Sequence, residues 1–441
     1  MKRNVTFRVS PQATSLAKGG VGVLNVEPFS LEPQSVQRDF IGASAIPLGG
    51  QAKSVPLDPG RYVASVRTPD GSMYSREFEL GETDDFEVTL GESRIAFEGE
   101  PSPMPIARGL EPHGHAATSS IEAWPQHGAE RGARLIHFGA ELDGARVHAA
   151  LAGPSSELAA PDLLPRGWSR DEVFSTFGMP EGPVTARMLE QNTSIEIAAP
   201  EPSGTTRIWY ALLLADGKPS IVARLPGPWR CLSTGEFAKV TVDATRQEGE
   251  RYKLDVRVSD TDTQSVLGFV LQSDLQGALA VIDECREILE EKFENPYAAA
   301  AAGYVLLNAP ANRSNVPWQE WIGNLGRHFP DLPDGLILHA TLLLQAEPGP
   351  MRPSSYFPDD AASRAKMAAD LLLEAMERGL PLYRAGVRLL VSNLRILLSD
   401  ECKGGGCPLA LHKANELAAW LLMRVDSQQV FTVVDLTDLQ G

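Results

Sequence analysis

RYVASVRTPDGSMYSREFEL, residues Arg61–Leu80, carries the clearest strand pattern of the N-terminal region. Tyr62, Ala64 and Val66 alternate with polar or small neighbours, and after Pro69-Asp70-Gly71 the alternation resumes with Tyr74, Phe78 and Leu80. Period two on either side of a turn describes two strands with one face in a core, and Gly71 supplies the positive φ that the turn requires. Working outward, Asn4–Ser10 places Val5, Phe7 and Val9 on one face, and Phe86, Val88 and Leu90 close the series. Residues 1–97 are therefore predicted to form a small antiparallel β-sandwich.

The character changes at residue 98. Pro101, Pro103, Pro105, Pro112, Gly109, Gly114 and Gly128 break every period up to residue 132, so 98–132 reads as a flexible linker. An exposed linker is where proteases nick a chain, and Arg108 and Arg131, each followed by Gly, are the candidate cleavage positions. Residues 133–260 return to strands at Leu135–Phe138, Ala145–Leu151 and Ser194–Ala198. Two hairpins follow, Arg207–Ala215 with Pro219–Leu225 through Asp216-Gly217, and Lys239–Ala244 with Tyr252–Val258. A short helix is expected at Asp171–Phe177.

Residues 261–425 read as helical. Asp274–Phe293 carries Leu275, Leu279, Ile282, Leu289 and Phe293 on one stripe. A further helix starts at Pro296, a residue suited to a first turn, and others are expected at Trp318–His328, Gly335–Leu344, Asp360–Arg378, Leu382–Leu398 and Leu409–Met423. Short connections imply antiparallel helix pairs, in the manner of a TPR-like helical repeat, although no clean 34-residue self-similarity is present. In residues 426–441, Gln429–Leu436 alternates weakly, either returning as a strand or serving as a recognition peptide. The predicted fold class is multidomain α+β: two N-terminal antiparallel β domains followed by an all-α helical-repeat bundle.

A length of 441 residues fits two to four domains, and 43% hydrophobic with 22% charged residues is globular. The net charge of −17 argues against nucleic acid and anionic membrane as partners. MKRNVTFRVSPQ enters alternation with no apolar h-region, which predicts no signal peptide. Four cysteines, unevenly spaced, make no disulfide framework, and a cytoplasmic location is expected.

Each chemical motif has a plainer reading beside it. Lys18-Gly19-Gly20-Val21-Gly22 has the glycines of a phosphate loop but lacks the second Lys and the following Ser or Thr, so a turn between strands is expected. His113, His115 and His127 have the residue types for zinc but no rigid element to hold them. Cys402 and Cys407 flank three glycines, with His412 close behind, the weak candidate for a metal or redox site; a helix–helix loop with inert thiols is the plainer account. Cys231 and Cys285 would each need a neighbouring His to serve as nucleophile. No catalytic residue and no cofactor is assigned. The acids Asp274, Asp283, Glu284, Glu287, Glu290, Glu291 and Glu294 face only Arg286 and Lys292. Such a face is usually solvated, and otherwise docks a basic partner; Glu284, Glu287 and Glu291 are its candidate contacts. Trp318 and Trp321, three apart on one helix face, are candidate interface anchors or core residues.

Two resemblances add to this. VPLDPGRYVASVRTPDGSMYSREFEL (Val55–Leu80) resembles small β-sandwich modules of the carboxypeptidase-regulatory or PEGA type, which implies an accessory fold and no catalytic residue. NPYAAAAAGYVLLNA (Asn295–Ala309), WIGNLGRHFPDLPDGLILHATLLL (Trp321–Leu344) and LLLEAMERGLPLYRAGVRLLVSNLRILL (Leu371–Leu398) are similar to the TPR-like helical region of uncharacterised bacterial proteins associated with caspase-like protease systems. That likeness implies a partner, substrate or regulator of such a protease, in a defence or stress system. The expectation is a non-enzymatic interaction or adaptor protein. The alternatives are a Cys-dependent hydrolase or metalloenzyme built on Cys402, Cys407 and His412, and a peptide- or sugar-binding module.

Overall fold

The computed structural model describes residues 2–10, 20–29, 41–81, 86–91, 133–140, 184–188, 192–197, 208–215, 218–227, 229, 231, 236–247, 251–272, 274–284, 292–307, 318–329, 332–345, 358, 360–401 and 409–436. The chain divides into two compact units, Met1–Ala117 with Asp260–Glu290, and Thr118–Ser259 with Glu291–Gly441. Each unit is thus built from two separate stretches of chain.

The first unit contains β1 (Arg3–Val9), β2 (Val21–Pro28), β3 (Ile41–Pro47), β4 (Lys53–Leu57), β5 (Gly60–Arg67), β6 (Met73–Leu80) and β7 (Phe86–Leu90). They form two sheets, β4-β1-β7 and β3-β2-β5-β6. All pairings are antiparallel except β1 with β7, which run parallel and depart from the antiparallel expectation. The two sheets share one core: Val5, Phe7 and Val9 of β1 meet Tyr62, Ala64 and Val66 of β5 and Phe78 and Leu80 of β6. The turn joining β5 to β6 forms as its residues dictate. Gly71 has φ +84°, its N–H bonds the Thr68 carbonyl at 2.9 Å, and the Asp70 carboxylate accepts from the Ser72 N–H at 3.0 Å.

Two helices complete this unit, α1 (Thr261–Leu271) and α2 (Leu275–Glu284). Asp260 caps α1, accepting from the Asp262 and Thr263 N–H groups. Of the expected helix Asp274–Phe293, Leu275–Glu284 is described as α2, residues 285–291 lie outside the described residues, and Phe293 sits in a turn, 63% exposed. Lys18 and Gly19 also lie outside them, and Gly20 leads directly into β2, a strand and no phosphate-binding helix.

In the second unit are β8 (Ala133–Ala140), β9 (Val184–Met188), β10 (Asn192–Ile197), β11 (Ile208–Ala215), β12 (Lys218–Leu225), β13 (Val240–Arg246) and β14 (Tyr252–Val258). The helices α3 (Pro296–Leu306), α4 (Trp318–His328), α5 (Pro333–Gln345), α6 (Ala361–Glu377), α7 (Arg384–Glu401) and α8 (Leu409–Arg424) follow, then β15 (Val433–Asp435). The strands make a three-stranded sheet, β10-β13-β14, and a five-stranded sheet, β15-β12-β11-β8-β9. The weak alternation near the C-terminus resolves as a strand: β15 pairs antiparallel with β12, Val434 opposite Val222. Tyr210, Leu212 and Val222 of the large sheet and Val434 of β15 share one apolar core with residues of α5, α6, α7 and α8. The expected strand Ala145–Leu151 and helix Asp171–Phe177 lie outside the described residues.

The helices start where their sequences provide caps. Asn295 accepts from the Ala298 N–H at 2.9 Å ahead of Pro296, and Asp360 from the Ser363 N–H at 2.7 Å. The segment Ala298–Ala302 of α3 is buried all round, and small side chains there let neighbouring elements approach closely. A Cβ on Gly303 would lie 2.7 Å from Leu338 of α5. Among the described residues the chain has eight helices, none of them long and apolar enough to cross a membrane.

Candidate functional site

Trp321 lies on α4, whose sequence WQEWIGNLGRH buries Ile322 and Leu325 and leaves Glu320, Arg327 and His328 exposed. Glu320 stands in the first turn and Arg327 and His328 in the last, each charge placed favourably against the helix dipole. Gly326 fixes the helix against α5: a Cβ on Gly335 would lie 2.8 Å from the Gly326 Cα. Trp321 itself is half-buried.

The turn Lys292–Glu294 meets this helix. Lys292 places its ammonium 5.6 Å from the centroid of the Trp321 ring and 5.7 Å from that of Phe293, and donates a long 3.5 Å bond to the Trp321 carbonyl. Both rings attract the cation through their negative faces. Among the described residues Lys292 has no carboxylate within ion-pair distance, and its burial (8% exposed) holds its pKa below the usual lysine value. Phe293 lies 5.4 Å from the His328 ring and 5.6 Å from Phe329, which is buried. The result is a surface on which Phe293 and His328 are exposed, Trp321 half-exposed, and a lysine sits beneath them. Aromatic groups on a preformed backbone suit protein recognition, since they offer large contact area with few rotatable bonds. Nothing in this set is arranged for proton transfer or nucleophilic attack.

A second polar centre is internal. Asp334, 0% exposed at the start of α5, accepts from the Tyr304 hydroxyl at 2.7 Å, the Leu382 N–H at 2.6 Å and the Tyr383 N–H at 3.1 Å. Burial pushes its carboxyl above the ordinary range, and the three hydrogen bonds and the Arg224 charge offset part of that. The Tyr383 hydroxyl donates to the Tyr297 carbonyl at 2.8 Å. Gly386 is obligatory here, because a Cβ would lie 2.5 Å from the Tyr304 hydroxyl oxygen. Accepting from all three, the buried Asp334 carboxylate tethers α3, α5 and the segment before α7.

The other predicted positions fare differently. Glu284 ends α2 in the first unit, and Glu287 and Glu291 lie outside the described residues, so the acidic stretch does not form one described helix. Asp274, one of the acids expected to face solvent, is engaged: it pairs with Arg67 at 2.6 Å and accepts from the Gly277 N–H at 3.0 Å. Trp318 begins α4, but its side chain lies outside the described residues, as do Arg108, Arg131, His113, His115, His127, Cys285, Cys402 and Cys407. His412 is exposed on α8, and Cys231 is buried. Among the described residues no three His, Cys, Asp or Glu side chains are grouped to hold a metal. The sequence signals Trp321. It carries no sign of Lys292, Phe293 and His328 as its neighbours, because the periodicity of 292–294 is that of a helix end.

Residues 265–432 match the family model described as the Y4kD C-terminal domain. The match begins within α1 and ends one residue before β15, so the C-terminal region is similar to that domain. It lends no support to the PEGA-type or caspase-associated resemblances. No curated protein matches. Among solved structures, the chain is aligned to a 9R-lipoxygenase from Cyanothece PCC8801 at 9% identity, covering 96% of this chain and 85% of that one, with a TM-score of 0.17, too low to imply a shared fold.

Proposed function

We propose that this chain is a non-enzymatic interaction protein that docks a protein partner on the Phe293–Trp321–His328 surface. The observation that supports this reading is Phe293, 63% exposed and seated against His328 beside the half-buried Trp321, an arrangement that leaves a large apolar ring in water unless something covers it. The helical region serves as its scaffold, in the manner of a TPR-type helical repeat. In this reading the partner is a caspase-like protease, or a component acting with one, in a bacterial cytoplasmic defence or stress system. The linker 98–132 is then the processed segment, at Arg108 or Arg131.

The test is affinity purification of the tagged chain from its host, beside the Phe293→Ser and Trp321→Ala variants. The expected result is a stoichiometric protease-containing partner with the parent chain, depleted at least ~10-fold with either variant, as for loss of an interface anchor of about 1.4 kcal/mol or more. An equal yield of partner from all three proteins overturns the assignment of the surface. Unchanged processing of an Arg108→Ala/Arg131→Ala double variant removes the cleavage assignment.

A further inference from the structure

The first unit is assembled from residues on both sides of the 142-residue stretch Thr118–Ser259, and this gives the chain a property that no local motif shows. The first half of β2 is buried on both faces. Leu24 and Val26 point into the two-sheet core, while Val21 and Val23, on the opposite face, are still only 9% and 3% exposed. That outer face is covered by α1 and α2, which contact β2 and β3. Val266, Leu267, Phe269, Leu279, Val281 and Ile282 of the helix pair are each at most 2% exposed.

Polar contacts fix the docking. The Val21 N–H donates to the Ser265 hydroxyl at 3.0 Å, and that hydroxyl is oriented by donating to the Thr261 carbonyl at 2.7 Å. Arg67 pairs with Asp274 at 2.6 Å, and the Gln272 amide donates to the Pro69 carbonyl at 2.5 Å. Gly268 lies directly against the turn between β5 and β6, where an added Cβ would come within 2.7 Å of the Pro69 carbonyl oxygen.

We propose that the outer face of β2 and β3 is a binding surface for this chain's own α1–α2 pair, and that it holds the N-terminal segment in place after the chain is cut between the two. A cut near residue 117 removes the covalent path from β1–β7 to β8 and leaves each of these contacts intact. Processing in 98–132 would therefore yield a nicked, two-piece protein and no freely diffusing N-terminal product. The natural cut belongs to the proposed function; the retention does not depend on it.

The experiment uses the full chain with a Gly/Ser spacer, carrying the recognition sequence of a site-specific protease, inserted after Ala117. After complete cleavage, verified on a denaturing gel, the sample is run on native size-exclusion chromatography. The expected result is one peak containing both pieces in equal amounts, resolved into two only in denaturant. Separation under native conditions overturns the proposal. Gly268→Leu, which intrudes on Pro69, and Asp274→Arg, which sets two cations face to face at Arg67, are expected to release the N-terminal piece after the cut while the uncut variants elute as the parent does. Asp274→Arg serves should Gly268→Leu not fold. Retention unchanged in both variants would show that something other than the helix pair holds the segment, which also overturns the proposal. Because the cut is engineered, its outcome is independent of whether a host protease acts on the linker.

Discussion

At the scale of single residues, Asp334 shows how a buried charge is made tolerable. Three donors converge on its carboxylate, yet burial still raises its pKa above the unfolded value of 3.8. The folded state therefore binds the proton more tightly than the unfolded chain. The contribution of this group to stability is greatest below pH 3.8 and declines as the pH rises through the raised folded pKa. Asp334→Asn abolishes that decline, so the stability difference between parent and variant, followed by urea titration across the acidic range, narrows or reverses as pH rises. Asp334→Ala leaves the Leu382 and Tyr383 N–H groups without partners and is expected to cost ~2–5 kcal/mol at neutral pH. Little of this was legible in PDLPDGLILH, where Asp334 merely precedes the expected helix Gly335–Leu344. The partners that bury it come from Tyr304 and from Leu382 and Tyr383, far away along the chain.

At the scale of elements, legibility followed solvent. β1, β5 and β6 were readable because one face of each meets water and the polar residues there mark the period. VGVLNVEP did not announce β2, since its first four residues, all buried, carry no polar position and the alternation is confined to Asn25 and Glu27 near its end. TDTQSVLGFVL hid α1 for a related reason: Thr263 and Ser265 are polar by type but buried, the latter receiving the Val21 N–H. The short C-terminal strand is the element with most leverage for its size. Besides pairing with β12, its approach segment donates from the Thr432 N–H to the Leu382 carbonyl and accepts from the Arg224 N–H, both at 2.9 Å, while Val430 accepts from the Arg384 N–H at 2.9 Å. Val434 is 0% exposed within the core that joins the large sheet to the helices. Val434→Asp is expected to cost ~3 kcal/mol or more by burying an unpaired carboxylate, measured as a fall in the denaturant midpoint.

At the scale of the whole molecule, two compact units imply two cooperative transitions. Thermal unfolding is expected to show two transitions, and Phe269→Ala, which hollows out α1, shifts only the transition of the first unit, by ~3–5 kcal/mol of its stability. Calorimetry of parent and variant checks this; a shift of both transitions would mean the units unfold together. The sequence alone was enough for the strand and helix segments that keep one wet face, the Pro69-Asp70-Gly71 turn, and the helix starts near Pro296 and Asp360. All of these depend on neighbours within a few positions, where spacing is a direct record of geometry. Long-range contacts alone reveal that residues 260–290 complete the N-terminal unit, that β15 adds an edge strand to the large sheet, that Asp334 is an internal tether, and that Lys292, Phe293 and His328 gather around Trp321. These arise from contacts between residues tens to hundreds of positions apart, and local periodicity reports which face of a segment is dry without naming what dries it.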